Sequence, residues 1–259
     1  MILFIENDNF LKNVDELVQY VFDEEKLITI LGEEHDNTFN CKNKDKEISI
    51  IEYIRNVCDN DFNNCKILLE YNELNNPANI GSVNLNNAYD EFSDNDNIKI
   101  IAIDIRNSYL GNKKQNLLYC SKNEICTFSK ERIKRDFVDI FFEKEYLIIE
   151  SLTNDVLNQK YIEIYNEFDR LKKNCMNENV DIAKLVLKIK FAWSYLVDLN
   201  IFIEIYKNDY NNLICIIGKT HIYNLEKMFK GVKNLHLIAQ KHKNDDCINI
   251  FDTKFIKKV

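Results

Sequence analysis

Several features are scarce or missing in this chain of 259 residues, and each absence argues against certain structures or classes of protein. One proline and five glycines leave few strong breaks in secondary structure. We therefore expect long helices and strands, with turns that rely on Asn and Asp. No apolar run approaches the ~18 residues of a transmembrane helix. The N-terminus has no basic segment and meets acid at Glu6, so we expect neither a signal peptide nor a membrane partner.

Charge and cysteine usage narrow the class further. The net charge of −8 and the short, mixed basic runs argue against nucleic-acid binding, which needs clustered Lys and Arg. None of the eight cysteines forms a Cys-x-x-Cys pair, so no zinc knuckle is expected. Cys58 and Cys215 lie in apolar runs, where a free thiol behaves as a small hydrophobe. These features predict a reduced, cytoplasmic protein.

Apolar periodicity predicts the fold. Short apolar runs alternate with helical patterns, which is typical of a mostly parallel central sheet with helices on both faces. We expect a single α/β domain over 1–259, with a helical insertion or cap over 129–207. The Asn-rich stretch 72–97 reads as a long loop or mobile cover. Strands are expected at 1–5, 27–31, 66–70, 98–105, 213–217, 235–239 and 247–251, and further helices at 10–22, 48–57 and 223–229.

Two strand-like runs end in the same pattern, Gly-x-x-His. The first gives Gly32 and His35, and the second gives Gly218 and His221. Two such endings are notable in a chain with five glycines and four histidines. Functional groups of parallel sheets gather beyond the carboxyl ends of the strands. The pattern therefore predicts that the two histidines meet at one rim.

Other strand ends add polar groups to that rim. Two histidines and a carboxylate are a sufficient ligand set for a divalent metal such as Mn, Co or Zn. A spare glutamate could act as general base, and an arginine could hold developing negative charge. The candidate metal ligands are His35, His221 and Glu70, and the candidate catalytic residues are Glu33, Glu70 and Arg106, with Glu34 and Asp104 nearby.

The paired motifs resemble the TraB/PrgY/Tiki family, within a wider set that includes erythromycin esterases and ChaN-like haem-associated proteins. The first motif, LGEEHDN, is similar to the Gly-Glu-x-His-Asp opening of the ChaN-like branch. The resemblance implies that His35 and His221 are the paired histidines, Glu33 or Glu34 the motif acid, Glu70 the second acid and Arg106 the basic residue. It also implies an α/β sheet with an inserted helical region. Members of the Tiki branch use divalent metal for peptide cleavage, and the esterase branch hydrolyses esters without metal.

Three functions follow as hypotheses. The first is a metal-dependent hydrolase that acts on a peptide or a small-molecule ester. The second is a non-catalytic interaction or structural protein, which could be viral, on the same scaffold. The third is a ChaN-like protein that binds haem or a small ligand. Two features depart from the family pattern: Lys219 stands beside the second histidine, and the membrane anchors are missing. The oligomeric state is left open.

Overall fold

The computed structural model describes residues 2–33, 46–58, 64–71, 83–104, 197–207, 209–242 and 247–255, with isolated helical positions at 166, 170, 173, 194 and 195. The strands are β1 Ile2–Lys12, β2 Glu16–Phe22, β3 Lys26–Glu33, β4 Glu47–Ile48, β5 Cys65–Leu69, β6 Ile98–Ala102, β7 Asn212–Gly218, β8 Leu235–His242 and β9 Cys247–Phe255. The helices with described bounds are α1 Ile50–Cys58, α2 Val83–Phe92 and α3 Lys219–Phe229.

The central sheet has six strands in the order β6-β5-β7-β3-β2-β8. The first four strands of that order are parallel, and β2 is antiparallel to both of its neighbours, β3 and β8. Parallel strands covered on both faces are near-continuous apolar runs, as β5 and β7 are, with every residue buried. The predicted α/β fold with a mostly parallel sheet is confirmed.

Helices cover both faces of this sheet. One core packs α1 and α2 against alternate residues of the strands, including Leu31, Ile67 and Ile214. On the other face α3 buries Ile222, Leu225, Met228 and Phe229. Successive side chains of a strand point to opposite faces of the sheet, so neighbouring residues of β5 or β7 pack against helices on different faces.

The helix predicted over residues 10–22 is wrong. This stretch forms the end of β1 and all of β2, which pairs antiparallel with β3 across the turn at Asp23–Glu25. Six of the seven residues of β2 are buried, so apolar residues occupy both strand faces. Their spacings of three and four resemble a helical period only because neither face is left polar.

A second sheet was not anticipated. It has three strands in the order β4-β1-β9, and β1 lies in its centre rather than at an edge. β1 and β9 run antiparallel along most of their length, and β4 is a two-residue strand parallel to β1. The sequence predicted strands at 1–5 and 247–251, but pairing between the two ends of a chain leaves no local signal.

The chain divides into two compact units, Met1–Ile103 with Glu204–Val259, and Asp104–Ile203. The first contains both sheets and the three helices named above. Within the second, residues 197–203 are helical. Most of the predicted insertion 129–207 lies outside the described residues, and its role as a cap stays a prediction. No helix in the described ranges is long and apolar enough to cross a membrane.

Two further expectations need correction. The stretch 72–97 was expected to be a loop, but it contains α2, where Leu85, Ala88 and Phe92 are buried at helical spacing. Its Asn-rich composition concealed this apolar stripe. Cys58 was expected to be a free thiol, but it forms a disulfide with Cys65, which links the end of α1 to the start of β5. Cys215 is free and fully buried, as expected.

Candidate functional site

The carboxyl ends of β3, β5 and β7 form one rim of the central sheet. In the strand register Glu33 is opposite Gly218, and Leu69 is opposite Ile216. The pairing continues one step further, because the backbone N–H of Glu70 donates to Ile216 O at 3.2 Å. Three polar segments that are far apart in the sequence therefore leave the sheet together, as strand ends of a parallel sheet do.

Glu70 and His221 are in direct contact at this rim. Glu70 Oε1 lies 3.1 Å from Nε2 of His221, although the residues are 151 positions apart. Both side chains are more than nine-tenths buried. A buried carboxylate is costly unless it is hydrogen-bonded or paired with a cation, so this contact stabilises both groups.

The other oxygen of Glu70 holds the start of α3. The backbone N–H of Gly218 donates to Glu70 Oε2 at 2.7 Å. Gly218 is the N-cap of α3 and has no side chain to cap the helix. The Glu70 carboxylate is also placed where a helix N-terminus favours negative charge. Glu70 thus fixes the first turn of α3, and His221 is the third residue of that turn.

The predicted helix at 223–229 therefore begins four residues earlier. Lys219 and Thr220 are exposed, and His221 and Ile222 are buried, which is the amphipathic pattern of a helix that begins directly at the strand end. Only the turn of α3 that follows Gly218 brings His221 back over the sheet to Glu70. The sequence predicted only that His221 follows a strand end, before a helix at 223–229.

Glu33 is buried at the same rim but contacts a different element. Its Oε2 accepts a hydrogen bond from Asn84 Nδ2 at 2.7 Å, and the same amide group donates to Asn13 O at 3.1 Å. Asn84 is in the first turn of α2, on the sheet face opposite to α3. By strand alternation Glu33 shares that face with Leu31. Its predicted role as the motif acid stays a prediction.

The remaining predicted site residues are not all described. His35, Glu34 and Arg106 lie outside the described residues, and Asp104 is half-buried just beyond β6. Within the described ranges no group of three or more His, Cys, Asp or Glu side chains is close enough to hold a metal ion. The structure thus brings Glu70 and His221 together and places the backbone of Glu33 one strand away.

The distance between the two paired atoms fits two kinds of chemistry. Two ligands at about 2.1 Å from one ion, at angles of about 90° to 109°, lie about 3.0 to 3.4 Å apart. The separation of 3.1 Å between His221 Nε2 and Glu70 Oε1 is within that range. It is equally the length of a hydrogen bond that orients an imidazole for proton transfer. The donor set fits two adjacent ligands of a divalent ion.

Two polar features escaped sequence reasoning. Asn84 had no motif to mark it, because only α2 brings it to Glu33. Lys66 carried a signal, since it is a lysine inside the apolar run of β5. At the amino end of the sheet, its buried ammonium pairs with Asp209 and, at 3.4 Å, with Glu204. We call these three residues and Tyr210, whose ring centroid is 5.5 Å from the ammonium, the base cluster.

Comparisons of the chain with protein-family models, with curated proteins and with solved structures find no match. The resemblance to the TraB/PrgY/Tiki family is therefore carried by its motif residues alone. Membership stays a prediction, and the geometry of the rim is the remaining evidence on function.

Proposed function

We propose that the chain is a metal-dependent hydrolase of peptide or ester bonds, with Glu70, His221 and His35 as ligands. The single observation that carries the proposal is the contact between Glu70 and His221 at the carboxyl rim of the sheet. Their separation suits two ligands of Mn, Co or Zn, for which imidazole and carboxylate are suitable donors. When bound, such an ion would polarise the scissile carbonyl and acidify a water molecule.

Strand register supports a place for His35 in this set. Glu33 is opposite Gly218 in the parallel pair, and His35 follows Glu33 by two residues. Two residues of extended chain span at most about 7 Å, which limits how far any residue at that sequence separation can be from Glu33. The hypothesis that both histidines share one site rests on this proximity.

The side chains of the chain itself would divide the remaining work. Glu70 is held by the Gly218 N–H, so its carboxylate would need little reorganisation to hold an ion together with His221. Glu33 or Glu34 would accept a proton as general base. Arg106 would stabilise negative charge that develops on the substrate. We assign the last two roles on the resemblance.

A second candidate function is hydrolysis without metal. A buried carboxylate that is hydrogen-bonded to an imidazole is the arrangement that orients a histidine as general base. The same contact between Glu70 and His221 favours this function, in the manner of the esterase branch. The two candidates differ in whether turnover needs an added ion.

Calorimetric titration with Mn, Co and Zn distinguishes them, with His221→Ala as test and His236→Ala as matched control. His236 is an exposed histidine on β8, so its loss leaves the rim intact. We expect saturable heat in wild type and His236→Ala, and none in His221→Ala or His35→Ala. Affinity should fall as pH drops through the histidine range, because only neutral imidazole coordinates.

Ester and peptide turnover is then measured with and without chelator. Loss of turnover in chelator supports the first candidate, and turnover that persists in chelator but needs His221 supports the second. Negligible heat together with no turnover would leave the scaffold or ligand-binding alternatives.

The cytoplasmic location also stays a proposal, and one observation opposes it. Cys58 and Cys65 are disulfide-bonded, and structural disulfides are rare in reducing compartments. Alkylation of the protein as extracted from its own cells, followed by mass spectrometry, decides between a reducing and an oxidising compartment. Free thiols at both positions would support the cytoplasm.

A further inference from the structure

Gly32, the glycine of the first motif, faces the first turn of α3 at very short range. A Cβ built on Gly32 would lie 2.5 Å from Cδ1 of Ile222 and 3.2 Å from Cα of Lys219. A contact of 2.5 Å is far inside van der Waals distance, so a side chain here requires α3 or Ile222 to move. The absence of a side chain at this position is part of the packing.

Backbone conformation does not explain the glycine. In the described residues the only glycine with positive φ is Gly231, at +76°. Gly32 lies in the regular strand β3, paired with Glu16 on one side and Ile217 on the other. Any residue could adopt that backbone, and so it is the space beside α3 that requires glycine.

The residues that Gly32 meets are those that hold His221. Ile222 follows His221 in the chain and is buried, and Lys219 is the first residue of the same turn. That turn is held on its other side by the Glu70 carboxylate at Gly218 N–H. Gly32 and Glu70 thus bound the turn from two neighbouring parts of the rim.

We propose that Gly32 is a positioning residue: its missing side chain lets Ile222 pack directly on β3, and this packing holds His221 against Glu70. The first motif then acts on the histidine of the second motif through packing. This inference rests on the proposed function only for the importance of His221. Its geometry is testable in metal-free protein, whatever the chain hydrolyses.

Three variants test the contact between Gly32 and Ile222. Gly32→Ala introduces the blocked side chain, and Gly32→Ala with Ile222→Val removes the Cδ1 atom that it would meet. Gly231→Ala is the matched control, because nothing lies within 4 Å of a Cβ there although its positive φ makes alanine strained. It should lower stability without disturbing the rim.

The readout is NMR of protein labelled with ¹⁵N-glycine, which gives one backbone amide signal for each of the five glycines. The Gly218 signal, identified by its response to Glu70→Gln, reports its hydrogen bond to Glu70. In Gly32→Ala we expect this signal to shift and its hydrogen exchange to accelerate by about tenfold or more. The His221 ring signals should shift with it.

The double variant should restore both signals, and Gly231→Ala should leave them at their wild-type positions. Unchanged Gly218 and His221 signals in Gly32→Ala would overturn the inference, as would equal shifts in Gly231→Ala. If Gly32→Ala does not fold, the double variant still should. Failure of both to fold, while Ile222→Val alone folds, would show that Ile222 is not the obstacle and would also overturn it.

Discussion

The rim and the base cluster lie at opposite ends of the same strands, and they hold buried charge in different ways. At the base, Lys66 is neutralised by two carboxylates, and Glu204 is also paired with Lys207. At the rim, the Glu70 carboxylate is held by an imidazole and a backbone N–H. At the base cluster the buried charge is neutralised by charges of opposite sign, whereas at the rim it is held by an imidazole, a side chain that can also coordinate a metal ion.

The tyrosines and the cysteine around the base strengthen this contrast. Burial raises the pKa of Tyr206 to about 12, with a further contribution from Asp23. Burial also raises the pKa of Tyr210, and the pKa of Cys215 is raised by burial and by Glu204. None of these three groups changes its charge near neutral pH. We infer that the base cluster stabilises the fold. At the rim, Glu70 and His221 can exchange their mutual contact for contacts with a ligand.

The largest expected effect is at the base. Lys66→Met removes the buried ammonium from Glu204 and Asp209, and removal of one partner from a buried pair costs about 3–5 kcal/mol. We expect the lower end of that range, because Lys207 still pairs with Glu204. Lys99 is the matched control, since it is opposite Lys66 in the register and also contacts Asp209 but is two-thirds exposed. Lys99→Met should cost less than about 1 kcal/mol. Denaturant unfolding measures both, and equal losses would contradict the contrast.

A smaller loss of stability is expected at the rim. Glu70→Ala leaves the Gly218 N–H without its acceptor and His221 without its partner, which should cost about 2–3 kcal/mol. Glu70→Gln retains a carbonyl oxygen for Gly218, so most of that loss should be recovered. Both variants should abolish the heat of metal binding. Metal binding that survives in Glu70→Gln would remove Glu70 from the ligand set.

Variants of Asn84 test whether Glu33 acts in the functional site or only holds α2 against the sheet. Asn84→Ala removes a hydrogen bond to a buried carboxylate and should cost about 1–2 kcal/mol. Asn84→Asp places a second carboxylate beside Glu33, so its stability should be lower at pH 8 than at pH 5. Denaturant midpoints at the two pH values measure this. If neither variant affects turnover, Glu33 is structural.

Acid should destabilise the base cluster through Asp209. Burial alone would raise the pKa of Asp209, but the hydrogen bond and charge of Lys66, with Lys99, outweigh it and lower the pKa. A lowered pKa means that the unfolded chain binds the proton first as pH falls. The stability from Asp209 is therefore complete above about pH 4 and is lost below it. Asp209 is half exposed, so the effect should be under about 1 kcal/mol.

Unfolding at pH 2.5, 4 and 7 measures that contribution, with Asp209→Asn as the reference. The variant should lose less stability than wild type between pH 4 and pH 2.5. A steeper loss in the variant would show that Asp209 is not held in its ionised form by Lys66.

Structural features that depend on local sequence patterns were predicted, and most of those that depend on tertiary contacts were not. The strands β3, β5, β6 and β7 and the helix α1 were predicted because apolar periodicity is local. The sequence predicted that His35, His221 and Glu70 would meet at one rim, because parallel strand ends share one side of a sheet. Of these, Glu70 and His221 are in contact, and His35 lies outside the described residues. β2 was mistaken for a helix because burial on both faces removed its alternation. The Asn84 contact, the Cys58 disulfide and the β1–β9 pairing depend on tertiary structure and leave no local pattern.

The smallest expected effect concerns Lys219, which could repel a cation bound at His221. Its side chain is exposed at the start of α3, whereas His221 is buried. An exposed ammonium is screened over about 10 Å at 0.1 M salt, so Lys219→Gln should tighten metal binding by no more than about threefold. Lys230→Gln, at the other end of α3, is the control and should change nothing. Titrations at 20 and 200 mM salt should show the Lys219 effect shrinking with salt. A tightening of tenfold or more that is insensitive to salt would mean that the ammonium points into the site and competes with the ion.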